Sequence, residues 1–131
     1  MRPREETFLI VIIDDDGALR EALDSLLQTA GFRTKSFASA EEFLRSSQRH
    51  QAACLVLDVW LAGMSGPDLQ QHLAANGIDL PIVFITAHYD RDRRIGDEVL
   101  RAGAIAYLPK PFDDEELLDA VFSALRLPQQ R

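Results

Sequence analysis

Uninterrupted apolar runs alternate with segments of helical period along almost the whole chain. The first run, Phe8-Leu9-Ile10-Val11-Ile12-Ile13, has no polar break and reads as a strand buried on both faces. Leu19, Leu23, Leu26, Leu27 and Ala30 then recur at helical spacing and stop at Gly31, a common helix terminator. Arg33 to Phe37 alternates polar and apolar, as a half-exposed edge strand does. Ser39 with Glu42 is a capping-box signature for a helix whose apolar face is Phe43 and Leu44. Ala52 to Leu57 is a second buried run, and Gly66-Pro67 opens a helix with Leu69 and Leu73 inward, closed by Asn76-Gly77. Ile82 to Ile85 is a third buried run, followed by a more polar helix over Asp90–Arg101 and a short strand over Ile105–Leu108. Asp113 and Glu116 cap a last helix carrying Leu117, Leu118, Val121, Phe122 and Leu125, which ends before Pro128. Five strands and five helices in strict alternation predict an α/β domain with a doubly wound parallel sheet covered on both faces. That domain spans residues 7–126, with 1–6 and 127–131 as loose termini.

In such sheets ligands bind beyond the carboxyl ends of the strands, so the residues that stop each apolar run define the candidate chemistry. The first run ends in Asp14-Asp15-Asp16, the second in Asp58, the third in Thr86 and the last in Pro109-Lys110-Pro111. Carboxylates about 5 Å apart repel by about 3 kcal/mol per pair at an effective dielectric near 20. Three of them, Asp14, Asp15 and Asp58, would store on the order of 10 kcal/mol if all were ionised and unscreened. They must take up protons or bind a cation, and all-oxygen ligands without His or Cys suit Mg²⁺. Lys110 adds a point charge and Thr86 a hydroxyl donor around one spare carboxylate. That combination suits phosphoryl transfer with an aspartate as nucleophile. A bare phosphate cradle would instead need backbone donors and small residues.

Composition narrows the reading. The chain has 131 residues, enough for one domain. Lys plus Arg is 14 and Asp plus Glu is 21, so the net charge is −7, which argues against direct nucleic-acid binding by this chain. No recognition helix or basic stripe is visible either. No apolar run reaches the length of a membrane span, and MRPREET lacks a signal peptide's apolar core, so a cytoplasmic address is expected. The single cysteine, Cys54, reads as a small core hydrophobe, and no histidine pair has metal spacing. Lys35 and Lys110 are the only lysines.

Taken together and in this order, IIDDDGALR, LVLDVWLAGMSG, FITA and AYLPKPF resemble the receiver domain of bacterial two-component response regulators. The resemblance covers residues 7–126. LAGMSG and LPKPF are most similar to the nitrogen-fixation regulator subgroup, whose receivers precede a LuxR-type helix-turn-helix domain. It implies a flavodoxin-like (βα)5 fold with strand order 2-1-3-4-5. It also implies a phosphoacceptor domain that takes a phosphoryl group from a sensor histidine kinase, with Mg²⁺, and switches an output that is transcriptional in that subgroup. Such a domain catalyses only its own phosphorylation and dephosphorylation. By this resemblance Asp58 is the phosphoacceptor, and Leu19-Arg20 fixes the acidic pair as Asp14-Asp15, leaving Asp16 outside. Asp15, Asp58 and the backbone carbonyl of Trp60 ligate Mg²⁺, and Asp14 acts through water. Thr86 bonds the phosphoryl group, Lys110 pairs with it, and Tyr107 is the rotating aromatic of the switch. A phosphorylation-dependent homodimer through the Asp90–Arg101 helix and the strand that follows it is also expected, and a longer regulator of which this is the first domain is expected over a stand-alone receiver.

The chain departs from the family pattern at Ala62, where a proline is usual, which should loosen that turn. The interval from Thr86 to Ala102-Gly103-Ala104 is also longer than usual. Trp60 and His88 are candidates to shield or touch the phosphoryl group, while Tyr107 also reads as a plain core aromatic. The run Asp90-Arg91-Asp92-Arg93-Arg94 reads as a solvated helix face. Two rival functions remain. Asp14-Asp15-Asp16-Gly17 also resembles the start of haloacid-dehalogenase-type phosphatases, with Asp97 as a late acid, although Lys110 then falls on the wrong side of Asp97 and Asp58 has no task. A receiver-like interaction module without chemistry is the other.

Overall fold

A computed structural model describes residues 8–126; the termini expected to be loose, 1–6 and 127–131, lie outside the described residues. The order of elements is β1 (Leu9–Ile13), α1 (Gly17–Thr29), β2 (Arg33–Phe37), α2 (Ala40–Arg45), β3 (Ala52–Asp58), α3 (Gly66–Ala75), β4 (Ile82–Thr86), α4 (Arg93–Arg101), β5 (Ala106–Pro109) and α5 (Asp114–Arg126). One 3-10 turn, Ser47–His50, follows α2 and has no counterpart in the sequence reading. The strands form a parallel sheet in the order β2-β1-β3-β4-β5, the expected doubly wound arrangement.

Alternation along the strands divides the core. Leu9, Val11 and Ile13 of β1 meet Phe43 of α2, Leu69 and Leu73 of α3 and Val99 of α4. Ile10 and Ile12 point the other way, toward Leu23 and Leu27 of α1 and Leu117, Val121 and Leu125 of α5. Both faces of β1, β3 and β4 are thus apolar, which is why their sequences run without polar breaks. The chain leaves β1 toward β2 on one side and returns to β3 on the other, and the crevice at that reversal is where such sheets hold ligands.

One helix boundary differs from expectation. α4 starts at Arg93, not Asp90, because residues 87–92 form consecutive turns that absorb the extra length after Thr86. α3 starts at Gly66 as expected, behind a capping box: the Ser65 hydroxyl accepts from the Asp68 N–H, and the Asp68 carboxylate accepts from the Ser65 N–H. The box expected at Ser39 is half made, since Ser39 accepts from the Glu42 N–H while Glu42 accepts from the Ala38 N–H.

Candidate functional site

Strand register brings the expected residues to one edge. Ile13 pairs with Leu57, Asp58 with Ile85 and Thr86 with Pro109, so the residues at and just beyond the strand ends converge. Asp14 follows β1, Asp58 ends β3, Thr86 ends β4 and Lys110 follows β5. Backbone bonds continue the ladder past the strands, from the Asp14 N–H to the Phe37 carbonyl and from the Lys110 N–H to the Thr86 carbonyl. Lys35, the other lysine, is exposed in the middle of β2.

The three aspartates after β1 have separate work. Asp16 is the N-cap of α1 and accepts from the Ala18 and Leu19 N–H groups, which places it outside the acidic pair. Asp14 is fully buried; its Oδ1 accepts the Asp16 N–H, and its carbonyl accepts Arg20 Nη1 at 2.7 Å. Asp15 is exposed. One carboxylate oxygen from each of Asp14, Asp15 and Asp58 lies within 4.8 Å of the others.

Lys110 is the cation of this cluster, with Nζ 2.8 Å from Asp14 Oδ2 and 3.5 Å from Asp58 Oδ1. Burial works to lower the Lys110 pKa, but its bond to Asp14 and the charges of Asp58 and Asp14 outweigh that and raise it. Asp58 is 5% exposed. Burial, and next the Asp14 charge, push its pKa up to about 6, against the pull of Lys110 and the Trp60 backbone N–H. Asp14 Oδ2 is buried and accepts no hydrogen bond of good geometry, leaving the lysine charge as its compensation. One ammonium among three carboxylates leaves an excess of negative charge on an all-oxygen donor set. That set fits a hard divalent cation such as Mg²⁺.

The loop after Asp58 is held closely. A Cβ at Gly66 would lie 2.4 Å from the Asp58 carbonyl oxygen, so α3 can start against the end of β3 only with glycine there. Ala62 does not leave the turn untethered, because Glu41 of α2 accepts the Met64 N–H at 2.8 Å. That bond is the chief cause of Glu41's lowered pKa.

The Thr86 hydroxyl, expected to bond the phosphoryl group, is engaged away from Asp58. It accepts from the His88 N–H at 3.1 Å and donates to Asp92 Oδ2 at 3.4 Å. His88 itself is exposed. Tyr107 is half-buried, stacks on Tyr89 with ring centroids 5.2 Å apart, and donates its hydroxyl to the Asp92 carbonyl at 2.8 Å. Burial, followed by the charge of Asp92, pushes the Tyr107 pKa up to about 12, so it remains a donor. Trp60 is 51% exposed, and its indole is drawn toward Asp92 by a 2.6 Å bond to Oδ2. The expectation that Asp90–Arg94 is a uniformly solvated face is therefore corrected at Asp92, which is buried. Within that run, only its place just before the helical period of Ile95 and Val99 set it apart.

A family model described as the response regulator receiver domain matches residues 10–122. The chain is 43% identical over 128 residues to the response regulator protein TmoT of Ectopseudomonas mendocina, covering 97% of this chain and 57% of TmoT. It is 36% identical over 117 residues to the transcriptional regulatory protein FixJ of Bradyrhizobium diazoefficiens, covering 89% and 56% respectively. It superimposes on the solved structure of the response regulator StyR with a TM-score of 0.85 at 44% identity, over 92% of this chain and 60% of that one. The chain thus spans a little over half the length of these curated relatives. The expected likeness to the nitrogen-fixation regulator subgroup is borne out. The haloacid-dehalogenase-type alternative is not, and its late acid, Asp97, lies exposed on α4 outside the acidic cluster.

Proposed function

Because the chain belongs to the response regulator receiver family, we propose that it is a phosphoacceptor in which Asp58 takes the phosphoryl group of a sensor histidine kinase. The observation that carries this reading is the Lys110 ammonium set between Asp14 and Asp58, with Asp15 alongside. An Asp58 oxygen attacks phosphorus; the new P–O bond forms as the P–N bond to the kinase histidine breaks and the imidazole nitrogen leaves. At neutral pH Asp58, with a pKa of about 6, is mostly ionised and able to attack. Lys110 compensates the charge brought onto Asp58. Asp15, Asp58 and the Trp60 backbone carbonyl would hold Mg²⁺ directly, and Asp14 through water. When bound, the ion neutralises the acids and the transferring phosphoryl oxygens. Asp14, already paired with Lys110, keeps that ammonium aimed at the acceptor.

Thr86 and Tyr107 transmit the change toward α4, whose exposed face carries Arg93, Arg94, Asp97, Glu98, Leu100 and Arg101 and suits a phosphorylation-dependent homodimer. The output is transcription, in keeping with FixJ being a transcriptional regulatory protein, and is exerted from outside these residues. No helix among the described residues is long and apolar enough to cross a membrane, and the proposed address is the cytoplasm. The test is phosphoryl uptake from acetyl phosphate in Mg²⁺. Wild type takes up a single group and Asp58→Asn none. An Asp58→Asn variant labelled as fast as wild type would refute the assignment.

A further inference from the structure

Asp92 stands at the N-cap position of α4, yet its side chain makes no bond to that helix's first turn. An aspartate there ordinarily accepts one of the free N–H groups at the helix start. Here the carboxylate faces the strand ends instead. Its Oδ2 accepts the Trp60 indole N–H at 2.6 Å and the Thr86 hydroxyl at 3.4 Å, while its carbonyl accepts the Tyr107 hydroxyl at 2.8 Å. It is 9% exposed, whereas Asp90, Arg91, Arg93 and Arg94 around it are exposed. One residue thus ties together the loop after Asp58, the end of β4 and the aromatic of β5.

The contacts differ in strength. The indole bond is short and charge-assisted, but the Thr86 bond is near the outer limit of hydrogen-bond length. A hydroxyl has one proton to donate, so Thr86 can serve Asp92 or a phosphoryl group on Asp58, not both. A long bond is the one that a new anion can take over.

We propose that Asp92 is a positioning residue that holds the unphosphorylated arrangement, keeping the Thr86 hydroxyl and the Trp60 indole on the α4 side until a phosphoryl group on Asp58 draws the hydroxyl away. The inference rests on Asp58 as the phosphoacceptor. Asp92 and the phosphoryl group compete for one donor, so each lowers the other's hold on it by the same factor. Loss of the Asp92 carboxylate therefore favours the switched state, the opposite of losing the Thr86 hydroxyl.

Trp60 is the only tryptophan, so its emission reports the Asp92 bond directly. Wild type, Asp92→Ala, Asp92→Ser and Asp92→Asn are compared by Trp60 emission, by melting and by beryllofluoride titration in Mg²⁺. Asp92→Ala moves the emission toward that of beryllofluoride-loaded wild type without any ligand, and binds beryllofluoride about two- to tenfold more tightly. Asp92→Ser, which can cap α4 but is too short to span to the indole, behaves like Asp92→Ala. Asp92→Asn retains an acceptor oxygen but not its charge, and falls between wild type and Asp92→Ala. Unchanged emission and affinity in Asp92→Ala, or a wild-type Asp92→Ser, overturns the inference; the second result would reduce Asp92 to a helix cap. If Asp92→Ala fails to fold, Asp92→Ser against Asp92→Asn decides. Wild type that binds no beryllofluoride would overturn the phosphoacceptor reading instead, and the emission of the ligand-free variants would still decide the role of Asp92.

Discussion

Replacing Asp58 by asparagine should stabilise the metal-free protein. In the folded chain the Asp58 carboxyl has its pKa raised from 3.8 to about 6, chiefly by burial and then by Asp14, with the attraction of Lys110 already counted. A difference of that size between folded and unfolded states corresponds to a penalty of up to about 3 kcal/mol on the ionised form. The sign follows from the direction of the shift. A raised carboxyl pKa contributes stability that is fully present below pH 3.8 and is lost as the pH rises through about 6. Wild type therefore carries the full penalty at pH 7.5, and Asp58→Asn, which has no charge to desolvate, carries none of it. For a domain of this size the variant should melt up to roughly 10 °C higher at pH 7.5. The gap should close as the pH falls toward 4. Thermal melts of both proteins in EDTA across that range measure it directly, and saturating Mg²⁺ should narrow the gap by stabilising wild type more. A gap that does not change with pH, or a wild type that is the more stable protein at pH 7.5, would show that Asp58 is not electrostatically strained and would undo the argument.

Thr86→Ala should still accept a phosphoryl group but switch incompletely. Moving an equilibrium from 1:99 to 99:1 takes about 5.5 kcal/mol, and one hydrogen bond to a charged group supplies about 1.5–3 kcal/mol. Sedimentation of the beryllofluoride complexes should thus show a dimer for wild type and a mixture for Thr86→Ala; a fully dimeric variant, or a wild type that stays monomeric, counts against the coupling. Gly96→Ala would place a Cβ 2.5 Å from the Tyr107 ring, so the ring or α4 must shift, at a cost of about 1–3 kcal/mol. Near-ultraviolet circular dichroism of the tyrosines should change with it, and an unaltered spectrum and melting temperature would contradict the close contact.

The site was legible because its residues sit at strand ends, and strand ends are marked in sequence by the stop of an apolar run. Asp14, Asp58, Thr86 and Lys110 could each be picked out in this way, and the register of the parallel sheet brings them to one edge. Asp92 could not be found so. It lies in turns between Thr86 and α4, in a run whose charges all look alike. Its burial depends on Trp60, far away in sequence, reaching over to it. Likewise Glu41 is one of two adjacent acids on α2, and only the approach of Met64 shows that it tethers the loop after Asp58.

Sequence by itself determined the alternation of elements, the doubly buried strands and the acid-lysine-hydroxyl set at one edge, because these follow from short-range periodicity and from where each run ends. Tertiary structure alone decided which way the polar groups are turned. The Lys110 ammonium lies nearer Asp14 than Asp58. The Thr86 hydroxyl faces Asp92. A hydroxyl or carboxylate can satisfy several partners equally well in an unfolded chain. The partner it takes is set by which loops the packed core brings within about 3 Å, and that distance is a property of the whole fold.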